Sequence, residues 1–240
     1  DGDRPPTALP VPAGTATSGA NTARFPGRVS NASTDFRTFI SEFNLLSIDK
    51  GPLQWVVGGF LMDETVPVEL YRDNRNTTDF VVSNSDIVTS AKNTSYSLFG
   101  QDNWFATEQL ELVVGGRYSW DKQVYTRFKV PGTGFTLPYV SQISTNQLTG
   151  KLGANYHLND ATMLYVTASK GYKAGGVNLT PLTPNFLPER NFVYEAGFKT
   201  ELLDKHLRIN GDVFYSKYKD IQLASLVGGL PTTQNALAGS

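Results

Sequence analysis

The sequence predicts an all-β fold: an antiparallel transmembrane β-barrel section of about eight strands in four hairpins, incomplete as a barrel. Three observations predict it. From Thr34 onward, extended runs of alternating apolar and polar residues recur in pairs, four times over. The runs hold 11–15 residues, where soluble strands have about 5–6 and a tilted membrane strand needs about 9–11. Finally, each pair is joined by a short polar turn, whereas about 30, 22 and 18 residues separate successive pairs, against about 2–5 in ordinary hairpins. Short turns at one end and long loops at the other describe a barrel with periplasmic turns and extracellular loops.

Taken in order, residues 1–34 are rich in Pro, Gly, Thr, Ser, Ala and Asn and show almost no apolar periodicity, so an irregular extracellular loop is expected there. The barrel section is expected over 35–221. Its first hairpin pairs Asp35–Ser47 with Leu53–Glu64 through Asp49-Lys50-Gly51-Pro52, residue types that suit a turn. The second pairs Ser95–Ala106 with Leu110–Lys122 through Thr107-Glu108-Gln109, and the third pairs Thr145–Leu158 with Thr162–Tyr172 through Asn159-Asp160-Ala161. The fourth pairs Asn191–Leu202 with Leu207–Ile221 through Leu203-Asp204-Lys205-His206, and residues 222–240 are expected to begin the next extracellular loop.

Parity along each run assigns the faces. In Leu110–Lys122, Leu110, Leu112, Val114, Gly116, Tyr118 and Trp120 share one side, and Glu111, Val113, Gly115, Arg117, Ser119 and Asp121 share the other. The first set suits lipid and the second a hydrated lumen. The same division recurs with Leu148, Leu152 and Tyr156 against Lys151, with Tyr194 and Phe198 against Glu195 and Lys199, and with Ile209, Val213 and Tyr215 against Arg208 and Asp212. The lumen-facing polar set is therefore Glu111, Arg117, Lys151, Glu195, Lys199, Arg208 and Asp212. Its signs are mixed, so a polar wall touching a plug or a passing ligand competes with a mutually neutralised, hydrated interior. Trp55, Trp104 and Tyr156 gather beside turns, as an interfacial aromatic girdle requires. Asp102 is the misfit: it shares parity with Leu98 and Trp104, and a bulge or register shift would remove it from lipid.

Composition excludes several functions. A formal charge of -1 with 18% charged residues argues against nucleic acid as a partner. No apolar stretch approaches the roughly 20 residues of a membrane-spanning helix. The chain has no cysteine, so it can build neither a disulfide nor a thiolate site. His157 and His206 both fall at expected turns without a ligand-spaced partner, and neither a Gly-x-Ser-x-Gly elbow nor a His-Glu-x-x-His pair occurs. No catalytic residue, metal site or cofactor is expected. Ligand capture is expected instead on the loops Thr65–Asn93, Gln123–Ser144 and Lys173–Pro188, where Tyr71, Arg72, Phe128, Phe135, Tyr139 and Phe186 could stack on an aromatic ligand; packing under the loops or a place at the interface is an equal reading of the loop aromatics.

Several motifs carry a family resemblance. Leu164-Tyr-Val-Thr-Ala-Ser-Lys-Gly-Tyr-Lys-Ala-Gly-Gly-Val-Asn178, Pro188-Glu189, Tyr194-Glu-Ala-Gly-Phe-Lys199 and Asn210-Gly-Asp-Val-Phe-Tyr215 through Tyr218-Lys-Asp-Ile-Gln222 resemble the barrel of TonB-dependent receptors. Gly51-Pro-Leu-Gln-Trp-Val-Val-Gly-Gly-Phe60, Ser97-Leu-Phe-Gly-Gln101 and Leu110-Glu-Leu-Val-Val-Gly-Gly-Arg-Tyr118 agree, so the resemblance spans residues 34–222. It implies a barrel of about 22 strands closed by an N-terminal plug in the outer membrane of a Gram-negative bacterium. It further implies energy-coupled uptake of a scarce nutrient, an iron-siderophore complex first among them, with the plug, TonB, outer-membrane lipid and the siderophore or a similar small ligand as partners. No plug, TonB box or signal is found in the sequence, and periplasmic turns would leave both ends outside the cell, so an internal section of such a barrel is expected. Two other readings stay open at this point: a self-contained eight-stranded barrel with a structural or adhesion role, and a soluble β-sandwich that binds carbohydrate.

Overall fold

The computed structural model describes residues 28–48, 51–75, 82–129, 138–178, 183–227 and 230–236. Its strands are β1 (Arg28–Thr34), β2 (Arg37–Leu46), β3 (Leu53–Arg75), β4 (Val82–Phe105), β5 (Leu110–Lys129), β6 (Tyr139–Asn159), β7 (Thr162–Lys173), β8 (Glu189–Leu202) and β9 (Leu207–Lys219). A small separate hairpin follows, β10 (Gln222–Val227) and β11 (Leu230–Asn235). From β3 to β9 each strand pairs antiparallel with the next, and the sheet stays open between its two edges.

β1 and β2 together fill one strand position, which makes eight positions in all. Both pair with the same edge of β3 in one register, Thr34 opposite Val68 and Arg37 opposite Thr65. The gap at Asp35 and Phe36 lies opposite Pro67 and Val66. Thr34 Oγ1 donates to the Pro67 carbonyl at 2.8 Å, so that carbonyl points to the edge strand. The ring nitrogen points the same way and has no N–H to donate, which interrupts the ladder. Arg28–Thr34, expected within an irregular loop, are therefore strand.

The second, third and fourth turns fall where the sequence places them, whereas Asp49 and Lys50 of the first lie outside the described residues. Thr107 Oγ1 accepts from the amides of Gln109 and Leu110 at 3.2 and 2.9 Å, and Asn159 Oδ1 accepts from the Ala161 amide at 2.9 Å. Leu203, Asp204 and Lys205 all have positive φ, which turns the chain between β8 and β9 within four residues. The loop ends differ from expectation. β3 runs to Arg75 and β4 begins at Val82, so most of Thr65–Asn93 is ladder rather than loop. β5 likewise continues to Lys129 and β6 begins at Tyr139.

The two faces of the sheet are inverted relative to a water-soluble layer. Leu98, Leu148, Leu152 and Val213 stand 63%, 59%, 61% and 73% exposed, while the polar Ser97 and Ser119 of the opposite face are 3% and 2% exposed. Side chains two strands apart meet on the polar face: the Arg117 guanidinium of β5 lies 5.1 Å from the Phe60 ring of β3. That convergence makes the polar face concave and the apolar face convex. Among the described residues no second layer covers the convex face, as a sandwich would need.

Aromatic residues band this face at two heights. Trp104 lies opposite Leu53 and Leu112 near the turns, and Trp120 lies opposite Tyr96 and 4.5 Å from the Tyr118 ring near the loops. Eight residues of β5 separate the bands, about 20 Å along the normal for strands rising about 3.3 Å per residue at a tilt of about 40°. Asp102 stays on the convex face. Its register with Trp55 and Val114 is unbroken, and the shift in that ladder falls at Val88/Thr89 instead. It sits three residues from the turn end of β4, on the turn side of the midplane, and a carboxylate costs less there than a lysine or arginine at the midplane.

Candidate functional site at the loop end of the concave face

Above the convex apolar band, the concave side of the strands carries amides, hydroxyls and carboxylates that bond across the ladder. Asn93 donates to Glu64 Oε2 at 2.9 Å, and Gln123 donates to Asn93 Oδ1 at 2.8 Å. Asp121 accepts from Ser95 Oγ at 2.7 Å and from the Tyr172 hydroxyl at 2.6 Å. The Tyr172 bond spans from β7 to β5, so it holds the curvature of the wall.

β7 parts from β6 after Lys170, the partner of Gly150. The chain beyond β7 then crosses the concave side instead of continuing up the wall. Gly176 and Phe186 exchange two backbone bonds of 3.0 Å, and a Cβ at Gly176 would overlap the Phe186 ring, so only glycine seats that ring there. The Val177 amide donates to Gln123 Oε1 at 2.8 Å, and Asn185 bonds Ser141 Oγ and the Gln142 carbonyl, both at 2.9 Å.

The β10–β11 hairpin fastens this crossing, and its Gln222 and Thr233 reach the cleft beneath it. Asn178 is 4% exposed, donates to the carbonyls of Pro184 and Thr233 at 2.6 and 2.8 Å, and accepts from the Thr233 amide at 2.9 Å. Asn235 bonds both backbone groups of Leu187 and the Asp220 carbonyl. Between the crossing and the wall lies a cleft of about 430 Å³ lined by Met62, Asp121, Lys122, Gln123, Lys173 and Phe186, among others. That volume suits a small molecule.

The residues singled out from sequence divide sharply. Phe186 lines the cleft. Tyr71 and Arg72 belong to the upper ladder of β3, opposite Asp86 and Ser85. Phe128 is 53% exposed and falls on the convex parity of β5, turned away from the cleft. Tyr139 opens β6 opposite Arg127, and Phe135 lies outside the described residues. The lumen-facing set all falls on the concave parity. Glu111 accepts from Asn103 and Asn155 at 2.6 and 2.8 Å, joining three strands. Arg117 lies between the Phe60 and Phe99 rings, 5.1 and 5.4 Å away. Glu195 accepts from Tyr165 at 2.6 Å, Lys199 lies 5.5 Å from the same ring, and Arg208 pairs with Glu201. Lys151 and Asp212 face Ser169 and Gly197 and are exposed. Sequence reasoning missed Asn93, Tyr172 and Asn178 as site residues. For Asn93 the signal was present: concave parity continuing above the aromatic band.

An open antiparallel wall, apolar outside, polar inside and banded by aromatics, defines a piece of a transmembrane β-barrel. The family model described as TonB dependent receptor-like, beta-barrel matches residues 9–240, and the chain belongs to that family of receptors. The pesticin receptor of Yersinia enterocolitica is 31% identical over 139 residues, 55% of this chain and 20% of the receptor; that of Yersinia pestis is 30% identical over the same length. Among solved structures, the ferric yersiniabactin uptake receptor FyuA of Yersinia pestis matches with a TM-score of 0.66 at 21% identity, covering 82% of this chain and 30% of its own. The siderophore receptor PiuA of Acinetobacter baumannii gives 0.62 at 18% identity over 76% and 32%, and the copper transporter OprC gives 0.64 at 15% over 86% and 34%. The chain thus spans about a fifth of the length of the curated relatives it matches.

Proposed function

We propose that this chain is part of the barrel wall of a TonB-dependent receptor in the outer membrane of a Gram-negative bacterium, and that the receptor imports an iron-siderophore complex by energy-coupled transport. The observation that carries the reading is the cleft of about 430 Å³, roofed by an inward-folded segment at the loop end of a membrane wall. A ligand captured there would stand at the mouth of the lumen. The wall holds the ligand and does no covalent chemistry on it, and it needs no cofactor of its own. Its partners in the whole receptor are outer-membrane lipid, the plug domain, TonB and the siderophore or a similar small ligand, not nucleic acid. The ferric yersiniabactin uptake receptor and the siderophore receptor PiuA support iron-siderophore as the cargo, while a copper transporter built on a similar wall keeps fold apart from cargo.

The test is growth rescue in iron-limited cells that lack other siderophore receptors and express the full-length protein. Rescue by a purified ferric siderophore that disappears when TonB is deleted is the expected result. Rescue that persists without TonB, or uptake of cobalamin, copper or saccharide with no response to any ferric siderophore, overturns it.

A further inference from the structure

We infer that the convex face carries a binding groove for one phosphate-bearing lipid of the leaflet at the loop end. The inference rests on the outer-membrane reading above. One cross-strand row of this face lacks side chains: Gly100, Gly116 and Gly150 lie directly opposite one another on β4, β5 and β6. Where the row reaches β7 it ends in Lys170, then meets Phe192 on β8 and Lys217 on β9. The result is a depression of about 410 Å³ with Gly116, Gly150 and Ala168 in its floor, Leu148 and Leu152 in its walls and Lys170 at its end.

The cations gather where lipid charge would be. Lys170 Nζ lies 5.8 Å and Lys219 Nζ 5.9 Å from the centre of the one Phe192 ring, and Lys217 is the cross-strand neighbour of that ring. Among the described residues none of the three has a carboxylate within ion-pair distance, whereas nearby Arg190 is matched by Asp220 at 3.1 Å. Three like charges on a membrane-facing surface repel one another unless an anion joins them. Lys170 stands eight residues above the turn-end start of β7, about 20 Å along the normal, at the level of headgroups rather than the midplane. An acyl chain fits the apolar glycine-floored groove, and a phosphate fits the lysines at its end.

Packing requires one floor glycine and leaves another free. A Cβ at Gly150 would meet the Gly115 carbonyl at 2.8 Å, whereas one at Gly116 would come no nearer than 3.9 Å to any atom. A side chain can therefore start from Gly116 in open space, and Gly116→Leu is the variant that fills the groove. The experiment is native mass spectrometry of the delipidated full-length receptor, titrated with phosphorylated lipid A, with the same lipid dephosphorylated, and with inorganic phosphate as competitor. One phosphorylated lipid is retained. The Lys170→Gln/Lys217→Gln/Lys219→Gln protein and the Gly116→Leu protein each bind it about tenfold or more weakly. Equal binding of the dephosphorylated lipid, full displacement by inorganic phosphate, unchanged retention by either variant, or a receptor dimer dissolved by Gly116→Leu overturns the inference. Heat-modifiable migration on gels reports folding of both variants, and Gly116→Leu carries the test if the triple variant does not fold. Ferric siderophore uptake stays at the unsubstituted level in both, so a failure of the lipid site is distinguishable from a failure of the transport reading.

Discussion

Asn178→Ala isolates what holds the inward segment in place. Asn178 makes three hydrogen bonds, two donated and one accepted, and two of the three join the segment to Thr233 of β11. At about 1 kcal/mol net for each bond, the docked state loses about 3 kcal/mol. At about 1.4 kcal/mol per decade, that raises the population of the undocked segment roughly hundredfold. Amide hydrogen exchange on the full-length receptor reads this directly, because exchange through local opening scales with the open population. The Val177 and Phe186 amides, bonded to Gln123 Oε1 and the Gly176 carbonyl, should exchange roughly hundredfold faster. Amides of β5 and β6 should not change. Asn178→Asp keeps the acceptor for the Thr233 amide but turns a buried carboxylate onto the Pro184 and Thr233 carbonyls, so exchange at Val177 and Phe186 should rise at least as much as in Asn178→Ala. Unchanged protection at Val177 and Phe186 in Asn178→Ala would refute the tether, since the segment would then be held by its wall contacts alone.

Three further predictions follow from the same geometry. Gly176→Ala places a Cβ inside the Phe186 ring; overpacking of this kind costs about 1–3 kcal/mol, so exchange at Phe186 should accelerate while the short turns keep their rates. Val166→Arg puts a cation on the 54% exposed convex side, four residues from the turn end. It should lower the unfolding free energy in vesicles by about 2–4 kcal/mol, whereas Ser169→Glu, facing Lys151 on the concave side, should change it by under about 0.5 kcal/mol. Pro67→Ala supplies the missing N–H opposite Asp35 and should slow exchange across Asp35–Arg37, with a gain of up to about 1 kcal/mol; unchanged exchange there would mean the break has another cause.

The strand starts beside the turns were legible because two signals coincide there. At Leu53, Leu110, Thr162 and Leu207 the apolar alternation begins right after residues such as Thr107, Asn159 and Asp204 that favour turns. The upper strand ends were not legible. Val66, Val68 and Leu70 still alternate with polar residues, but Tyr71–Arg75 and Val82–Asp86 carry no apolar period while their backbone ladder continues. Parity also gave the face of Glu111, Arg117 and Glu195, because a period of two needs no knowledge of curvature. The Tyr172 to Asp121 bond and the seat of Arg117 between Phe60 and Phe99 do depend on curvature, which no local pattern encodes. Asn178 was beyond reach for a related reason: its role comes from Thr233, 55 residues away, and one buried asparagine looks like any loop asparagine in a sequence.

Alternate residues of this wall face opposite sides, lipid on one and lumen on the other. Single cysteines placed in turn from Leu110 to Trp120 and from Leu148 to Tyr156 of the full-length receptor, spin-labelled in its membrane, test it most directly; this section contributes no background thiol. Relaxation by oxygen, which concentrates in lipid, should peak at Leu112, Val114, Tyr118, Leu148 and Leu152. Relaxation by a water-soluble nickel chelate should peak at Glu111, Arg117 and Lys151. Equal accessibility at neighbouring positions, or the two patterns exchanged, would contradict the membrane wall and with it the receptor reading.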